Sequence, residues 1–314
     1  MKDKDNLKDT SKVVMTCYSI LDVALAGNVK DFTDGKYYGD SSLPYDKAQV
    51  NQAEWLLDQI KCTEGSYILD IGCGNGRLLQ AAKKRGAKSV GITISDVQVK
   101  KARKKGLDTI VMNYRNIPES WNGRFDGVIA NGSVEHFVQT QDAINGKQDD
   151  IYEQMFKIVH RILKPGGYFA TTIIHFNQPV DPREIIKGSK AFKKGSDNYQ
   201  FAKVLLEDFG GWYPREDQLE QCTRNNFTLL NREDGTEDYN WTSEYWLREL
   251  YKQIPRNPKV WLALLRVIVK HPISSLRMLE NLLFDQSWMW QFRERERKGT
   301  PTRLYRDVWK RIER

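Results

Sequence analysis

The sequence predicts a doubly wound α/β fold with a mostly parallel sheet, a helical N-terminal cap and a helical C-terminal region. Three observations predict it. Short apolar runs alternate with amphipathic stretches between residues 47 and 176, and a glycine-rich turn joins the first run to the next helix. Beyond Asn177 the strand pattern weakens and helical stretches rich in Trp and Arg take over.

Taken in order, the apolar spacing of residues 16–25 reads as a helix within a polar lead-in. Residues 47–60 read as an amphipathic helix with Val50, Ala53, Leu56, Leu57 and Ile60 on one stripe. Strands are expected at 67–71, 89–94, 109–113, 125–130 and 168–174. Helices are expected at 77–85 and 96–105, ended by Gly86 and Gly106, and at 151–163, stopped by Lys164-Pro165-Gly166-Gly167. Helices are also expected at 243–251 and 260–284. The resulting division is a cap at 1–46, an α/β core at 47–180 and a basic, helix-rich region at 181–314. In a sheet of this kind the ligand crevice is expected at the strand carboxyl ends.

A length of 314 residues fits one large α/β domain or a domain with an appendage. With 40% hydrophobic and 29% charged residues the chain reads as an ordinary soluble globular protein. Cys17, Cys62, Cys73 and Cys222 show no CxxC spacing, so no metal site or disulfide framework is expected, and a cytoplasmic location is. No signal peptide is legible at the N-terminus, and the most apolar stretch, 260–269, is interrupted by Arg266. It is shorter than the ~20 residues that cross a bilayer. The net charge of +8 is uneven: residues 251–314 carry 15 Lys and Arg against 6 Asp and Glu, while the first 250 carry 34 against 35. Such asymmetry calls for a solvated basic face or an anionic partner.

The run Asp70-Ile71-Gly72-Cys73-Gly74-Asn75-Gly76 follows a strand and opens a helix, the context in which such a run is informative. Its glycines let the backbone turn sharply and let a ligand approach the main chain. The G-x-G-x-G spacing is not that of a dinucleotide fingerprint. An acid at Asp70 would repel a pyrophosphate but suits the ammonium and sulfonium of S-adenosylmethionine (SAM).

The segments ILDIGCGNG, GITISDVQ, NYRNIP and FDGVIANGSVEHF together resemble class I, Rossmann-like SAM-dependent methyltransferases, and specifically the cyclopropane fatty acid synthase family. That family includes mycolic acid and amine methyltransferases. Asp238-Tyr239 with Thr242 and Trp246 is similar to its D-Y-x-x-T-x-x-x-W segment, and residues 303–309 to its ending. The resemblance implies that Asp70, Gly72 and Gly74 line the methionine moiety of SAM. Thr93, Ile94 and Gln98 would bracket the ribose, and Asn113 and Tyr114 would sit near the adenine.

On the acceptor side the candidate catalytic residues are Glu135, His136 and Tyr239. A carboxylate after the fourth strand can stabilise the positive charge that develops as an alkene or amine takes the methyl. Cyclopropane formation in the family further uses a bicarbonate held by the Glu, a His, a Tyr and a Cys. Glu135 and Tyr239 match; Thr172 stands in the His position, with His175 on the opposite strand face, and the segment from Lys36 to Ser41 has no cysteine. Methyl transfer without ring closure is therefore the better supported reaction, and bicarbonate is not an expected cofactor. An extra polar piece at 139–150 stands where a lid would be, or is a solvated loop.

Residues 260–284 combine apolar spacing at Val260, Leu264, Val267 and Ile268, then at Leu276, Leu279 and Leu283, with Arg266, Lys270 and Arg277. A basic amphipathic helix of this kind either lies on an anionic membrane or packs on its own domain. No nucleic-acid module is recognisable. The expected substrate is a lipid acyl chain, with a small amine or metabolite as the alternative, and a non-catalytic SAM-binding protein as the third. Oligomeric state is not legible.

Overall fold

The computed structural model describes residues 17–18, 20–21, 23–25, 29, 32–223 and 225–313; Thr16, Ser19 and Asp22 of the expected N-terminal helix lie outside them. Seven strands form one sheet in the order β3-β2-β1-β4-β5-β7-β6. β1 (Tyr67–Ile71), β2 (Lys88–Thr93), β3 (Thr109–Val111), β4 (Phe125–Asn131) and β5 (Leu163–Phe176) are parallel. β7 (Thr302–Arg311) runs antiparallel between β5 and β6 (Phe227–Asp234). The parallel strands are joined by helices, among them α1 (Tyr45–Gln59, preceding β1), α2 (Arg77–Lys84), α3 (Asp96–Lys104), α4 (Thr140–Ile144) and α5 (Gln148–Ile162). Strand order reverses beside β1, which puts a crevice at the carboxyl ends of β1, β2 and β4.

β1 spans the expected residues, and the other parallel strands and their helices lie within a few residues of expectation except β5, which starts at Leu163. Two details differ. Val50 was expected on the buried stripe of α1 but is exposed; Gln49 and Gln52 take the inward positions instead. Their amides are bonded there, Gln49 Nε2 to the carbonyls of Thr33 and Asp34 at 2.7 and 3.0 Å and Gln52 Nε2 to Asp34 Oδ1 at 3.1 Å. These bonds from Nε2 offset part of the cost of burying the two amides, whose Oε1 atoms have no hydrogen-bond partner among the described residues. The second difference is that the chain beyond 177 returns two strands, β6 and β7, to the sheet.

β7 is held by charge as well as by its ladder. Arg306 is fully buried and pairs with Asp34, with Glu233 at 2.7 Å and with Asp238 at 2.7 Å, while Lys36 also pairs with Glu233. This network joins the segment before α1, strands β6 and β7, and the first turn of α6 (Thr236–Arg256). Burial pushes the Asp34 carboxyl up to about 6, with Arg306 opposing that rise.

After α6 the expected single helix at 260–284 is divided. α7 (Pro258–Lys270) and α8 (Pro272–Glu280) are separated at His271-Pro272, where proline disfavours a helical residue before it. Val260 and Leu264 face inward onto Ile20, Leu21, Trp246 and Leu250. Leu276 was expected on the apolar stripe of α8 and is exposed; Met278 and Leu282 occupy the core instead.

Candidate active site

From β1 the chain turns through Gly72, Gly74 and Gly76, with φ of 85°, 51° and 84°. The amides of Gly72 and Cys73 donate to the Ile92 carbonyl at 2.8 and 3.1 Å, fixing the turn to β2. A Cβ on Gly72 would stand 2.4 Å from Cβ of Ser133, whose hydroxyl donates to the Ile71 carbonyl at 2.7 Å. Glycine is required here both by its left-handed φ and by this close approach.

The turn opens onto a cavity of about 840 Å³. Asp70, Gly72 and Gly74 border it from the turn, Thr93, Ile94 and Gln98 from the end of β2 and the start of α3. Asn113 and Tyr114 border it after β3, and His136 after β4. The structure thus brings together every residue assigned to the cofactor from the sequence, and His136. Thr93 Oγ1 donates to Gln98 Oε1 at 2.8 Å, and Asn113 Oδ1 accepts from the Arg115 amide at 3.0 Å. Tyr114 stacks on Phe137 with centroids 4.0 Å apart. Ile94 and Val97 are large apolar side chains left exposed, and both open onto the cavity. A buried carboxylate, amide and hydroxyl groups, and a flat apolar wall are the donor set that a SAM molecule needs.

Sequence reasoning missed other parts of this wall. Asn131 and Ser133 border the cavity, and the signal for them was the Ala130-Asn131-Gly132-Ser133 string after β4. Tyr18 and Phe32 also border it, and only the tertiary placement of the N-terminal segment reveals them. The extra polar piece is a wall of the cavity: Gln139, Thr140 and Asn145 border it, and the Gln139 amide caps α4 by donating to Asp142 Oδ2 at 3.0 Å.

Glu135 and Tyr239 are not at the cavity border. Glu135 is buried in the turn Val134–His136, which directly follows β4. Its Oε1 accepts from the Ile174 amide at 3.0 Å, and its Oε2 is buried with no hydrogen-bond partner among the described residues. Burial pushes the carboxyl up to about 7, opposed by the backbone amides that bond it. The phenols of Tyr18, Tyr213 and Tyr239 are held above the usual range by burial first and by the Glu135 charge among the further causes. Tyr18 Oη lies 3.2 Å from His136 Nε2, and burial lowers His136 to about 4, so its imidazole is neutral at pH 7. Tyr239 stacks on Phe292 at 4.3 Å and meets Trp246 edge-on. Gly211 closes against this turn: a Cβ there would stand 2.2 Å from the Glu135 carbonyl oxygen. Thr172 Oγ1 bonds Asn131, whereas His175, on the other face of β5, bonds the Ile173 carbonyl at 2.9 Å and packs on Tyr305.

Strand order, the glycine turn and the position of the cavity are together those of the class I methyltransferase fold. Residues 33–261 match the family described as mycolic acid cyclopropane synthetase, and the chain belongs to that family. Over 206 residues it is 28% identical to the cyclopropane-fatty-acyl-phospholipid synthase of Escherichia coli K12, covering 64% of this chain and 46% of that one. It is 22% identical over 223 residues to cyclopropane mycolic acid synthase 1 of Mycobacterium tuberculosis, covering 67% and 71%. The chain spans less than half the length of the first curated relatives it matches. The crystal structure of the mycolic acid cyclopropane synthase CmaA1 complexed with SAH and CTAB superposes with a TM-score of 0.70 at 17% identity, covering 96% of this chain and 98% of that one.

Proposed function

We propose that this protein is a SAM-dependent methyltransferase whose acceptor is a carbon or nitrogen nucleophile, and first of all an unsaturated lipid acyl chain. The observation that carries the reading is the buried, half-unpartnered Glu135 carboxylate immediately behind a cavity with the donor set for SAM. Membership of the family and the SAH complex of the similar CmaA1 structure support it.

SAM supplies an electrophilic methyl on a sulfonium, and transfer breaks that C–S bond as a bond to the acceptor forms. The protein's part is alignment, exclusion of water and management of charge. Asp70, with Gly72 and Gly74, would hold the cationic methionine end, Thr93, Ile94 and Gln98 the ribose, and Asn113 and Tyr114 the adenine. When an alkene carbon takes the methyl, the acceptor becomes a cation; the Glu135 carboxylate stabilises it and takes the proton it loses, through its free Oε2. His136 is neutral and bonded to Tyr18, so it positions the wall and carries no charge into the pocket. Tyr239 lies beside the carboxylate on the acceptor side. Residues 47–180 hold the cofactor in this reading, and 1–46 and 181–314 shape the acceptor side. The four cysteines are buried and none is in a disulfide among the described residues, which suits a cytoplasmic protein. Peripheral contact with an anionic membrane fits the basic C-terminal stretch. No described helix is long and apolar enough to cross a membrane.

The position of Thr172, bonded to Asn131 where the family has a histidine, favours methyl transfer over ring closure. It also keeps an amine acceptor as the second reading. Methyl-labelled SAM incubated with the protein tests both, in one arm with vesicles of unsaturated phospholipid and in another with soluble amines. Label extracted with the lipid is the expected result; label only in the amine arm overturns the lipid reading. Gly72→Ala is expected to weaken SAM binding about tenfold or more in a calorimetric titration, because the left-handed backbone and the Ser133 contact each resist a Cβ. Unchanged affinity would remove the turn from the site.

A further inference from the structure

α7 is apolar on two sides. Its inner side, Val260 and Leu264, is buried against the N-terminal helix and α6. Its outer side presents Trp261, Leu262, Leu265 and Val269, all exposed, Val269 at 80%. These four lie within about one third of the helix circumference, and Lys259, Arg266 and Lys270 form the stripe beside them. α8, which packs next to α7, and the turn after it also expose large apolar side chains, Ile273, Leu276 and Phe284, the last at 76%. Residues 251–284 hold six Lys and Arg and one acid, Glu280. Soluble proteins seldom leave so many large apolar side chains together in water.

From this surface we propose that the outer face of α7 and α8 is an interfacial anchor that inserts into an anionic phospholipid bilayer. The stripe identified from the sequence, Val260–Leu264–Val267–Ile268, is the core side; the membrane side is the opposite one. Apolar side chains with a tryptophan enter the headgroup boundary, and Arg266 and Lys270 meet lipid phosphates beside them. Charge complementarity selects this occupant over a second copy of the same face, on which the cations would oppose one another. The inner side of the same helix packs on the cluster that includes Tyr18 and Tyr239, which line or flank the site. Anchoring therefore places the acceptor side of the site toward the lipid. This last step rests on the lipid reading above; the docking itself does not.

Co-sedimentation with phosphatidylglycerol vesicles and with phosphatidylcholine vesicles tests the anchor. The expected result is binding to phosphatidylglycerol that falls at least tenfold on phosphatidylcholine or in high salt. Leu265→Glu/Val269→Glu and, separately, Arg266→Glu/Lys270→Glu should each reduce it by a similar factor, with SAM affinity unchanged as the control for folding. Equal binding of the Leu265→Glu/Val269→Glu protein overturns the proposal, as does no binding by the native chain. A native dimer that this variant converts to monomer would overturn it in favour of a second copy. Retained docking without label in the acyl chains would instead overturn the lipid-acceptor reading and leave the anchor standing.

Discussion

Glu135→Gln is expected to lower methyl transfer by roughly a hundredfold or more while leaving SAM affinity within a few-fold of the native value. Gln keeps an oxygen for the Ile174 amide but neither carries the negative charge nor accepts the proton. The pH profile gives the second readout. The carboxyl is pushed up to about 7, so the ionised form that the step needs grows in through that pH. Native turnover should rise from pH 6 to 8, and the residual rate of the Gln variant should be flat across that range. Stability should move the other way. A carboxyl whose folded pKa is raised favours the folded state only while protonated; that advantage is lost as pH rises from the ordinary value of 4.5 through about 7. Above it the ionised group costs folding on the order of 3 kcal/mol. The Gln variant should therefore melt higher than the native protein at pH 8 and lose that advantage near pH 5. A variant that is less stable at pH 8 would place Glu135 among the structural acids.

Arg306→Met is expected to cost about 3–5 kcal/mol of stability at pH 8, read by denaturant unfolding. The guanidinium is fully buried and is shared by Asp34, Glu233 and Asp238, so its removal leaves the buried Asp34 carboxylate without its cation, while Glu233 keeps Lys36. Asp34 already sits up at about 6, and losing Arg306, which pulls it down, raises it further. The sign follows: carboxyls with raised folded pKa values cost folding above about pH 4, and more as pH rises. The deficit of the variant should thus shrink toward pH 5. A loss under about 1 kcal/mol, or one independent of pH, would show that the network is solvated.

The same arginine explains what the sequence concealed. β7 carries Arg303, Arg306, Asp307 and Lys310 within ten residues, a pattern that reads as a surface. Arg306 and Asp307 are nevertheless buried, because Asp34 and Asp238 meet the first and Arg232 the second. Partners at least 68 positions away cancel the charge, and no local window contains them. β6 is an edge strand with only Phe227 buried, so its apolar alternation is faint. In contrast β1 was legible to the residue, since both its faces are covered and its apolar run ends in glycines whose positive φ the turn demands. The residues expected to hold the cofactor border one cavity for that reason: they hang on the glycine turn and on the ends of β1, β2 and β3. Tyr18 was not, because its place at the cavity depends on packing of the N-terminal segment against α6 and α7. Likewise the two sides of α7 share one helical period, and only the fold decides which of them meets the core.

In the proposed reaction the methyl of SAM ends on carbon of an acyl chain and the proton is lost to Glu135. Acyl chains recovered after incubating the protein with SAM and vesicles of monounsaturated phosphatidylglycerol test this. The expected product gains one methylene unit per modified chain, carried as a methyl branch on a retained double bond or as an exomethylene carbon, with no cyclopropane protons in the NMR spectrum. Chains of unchanged mass, from a protein that binds SAM, would contradict it.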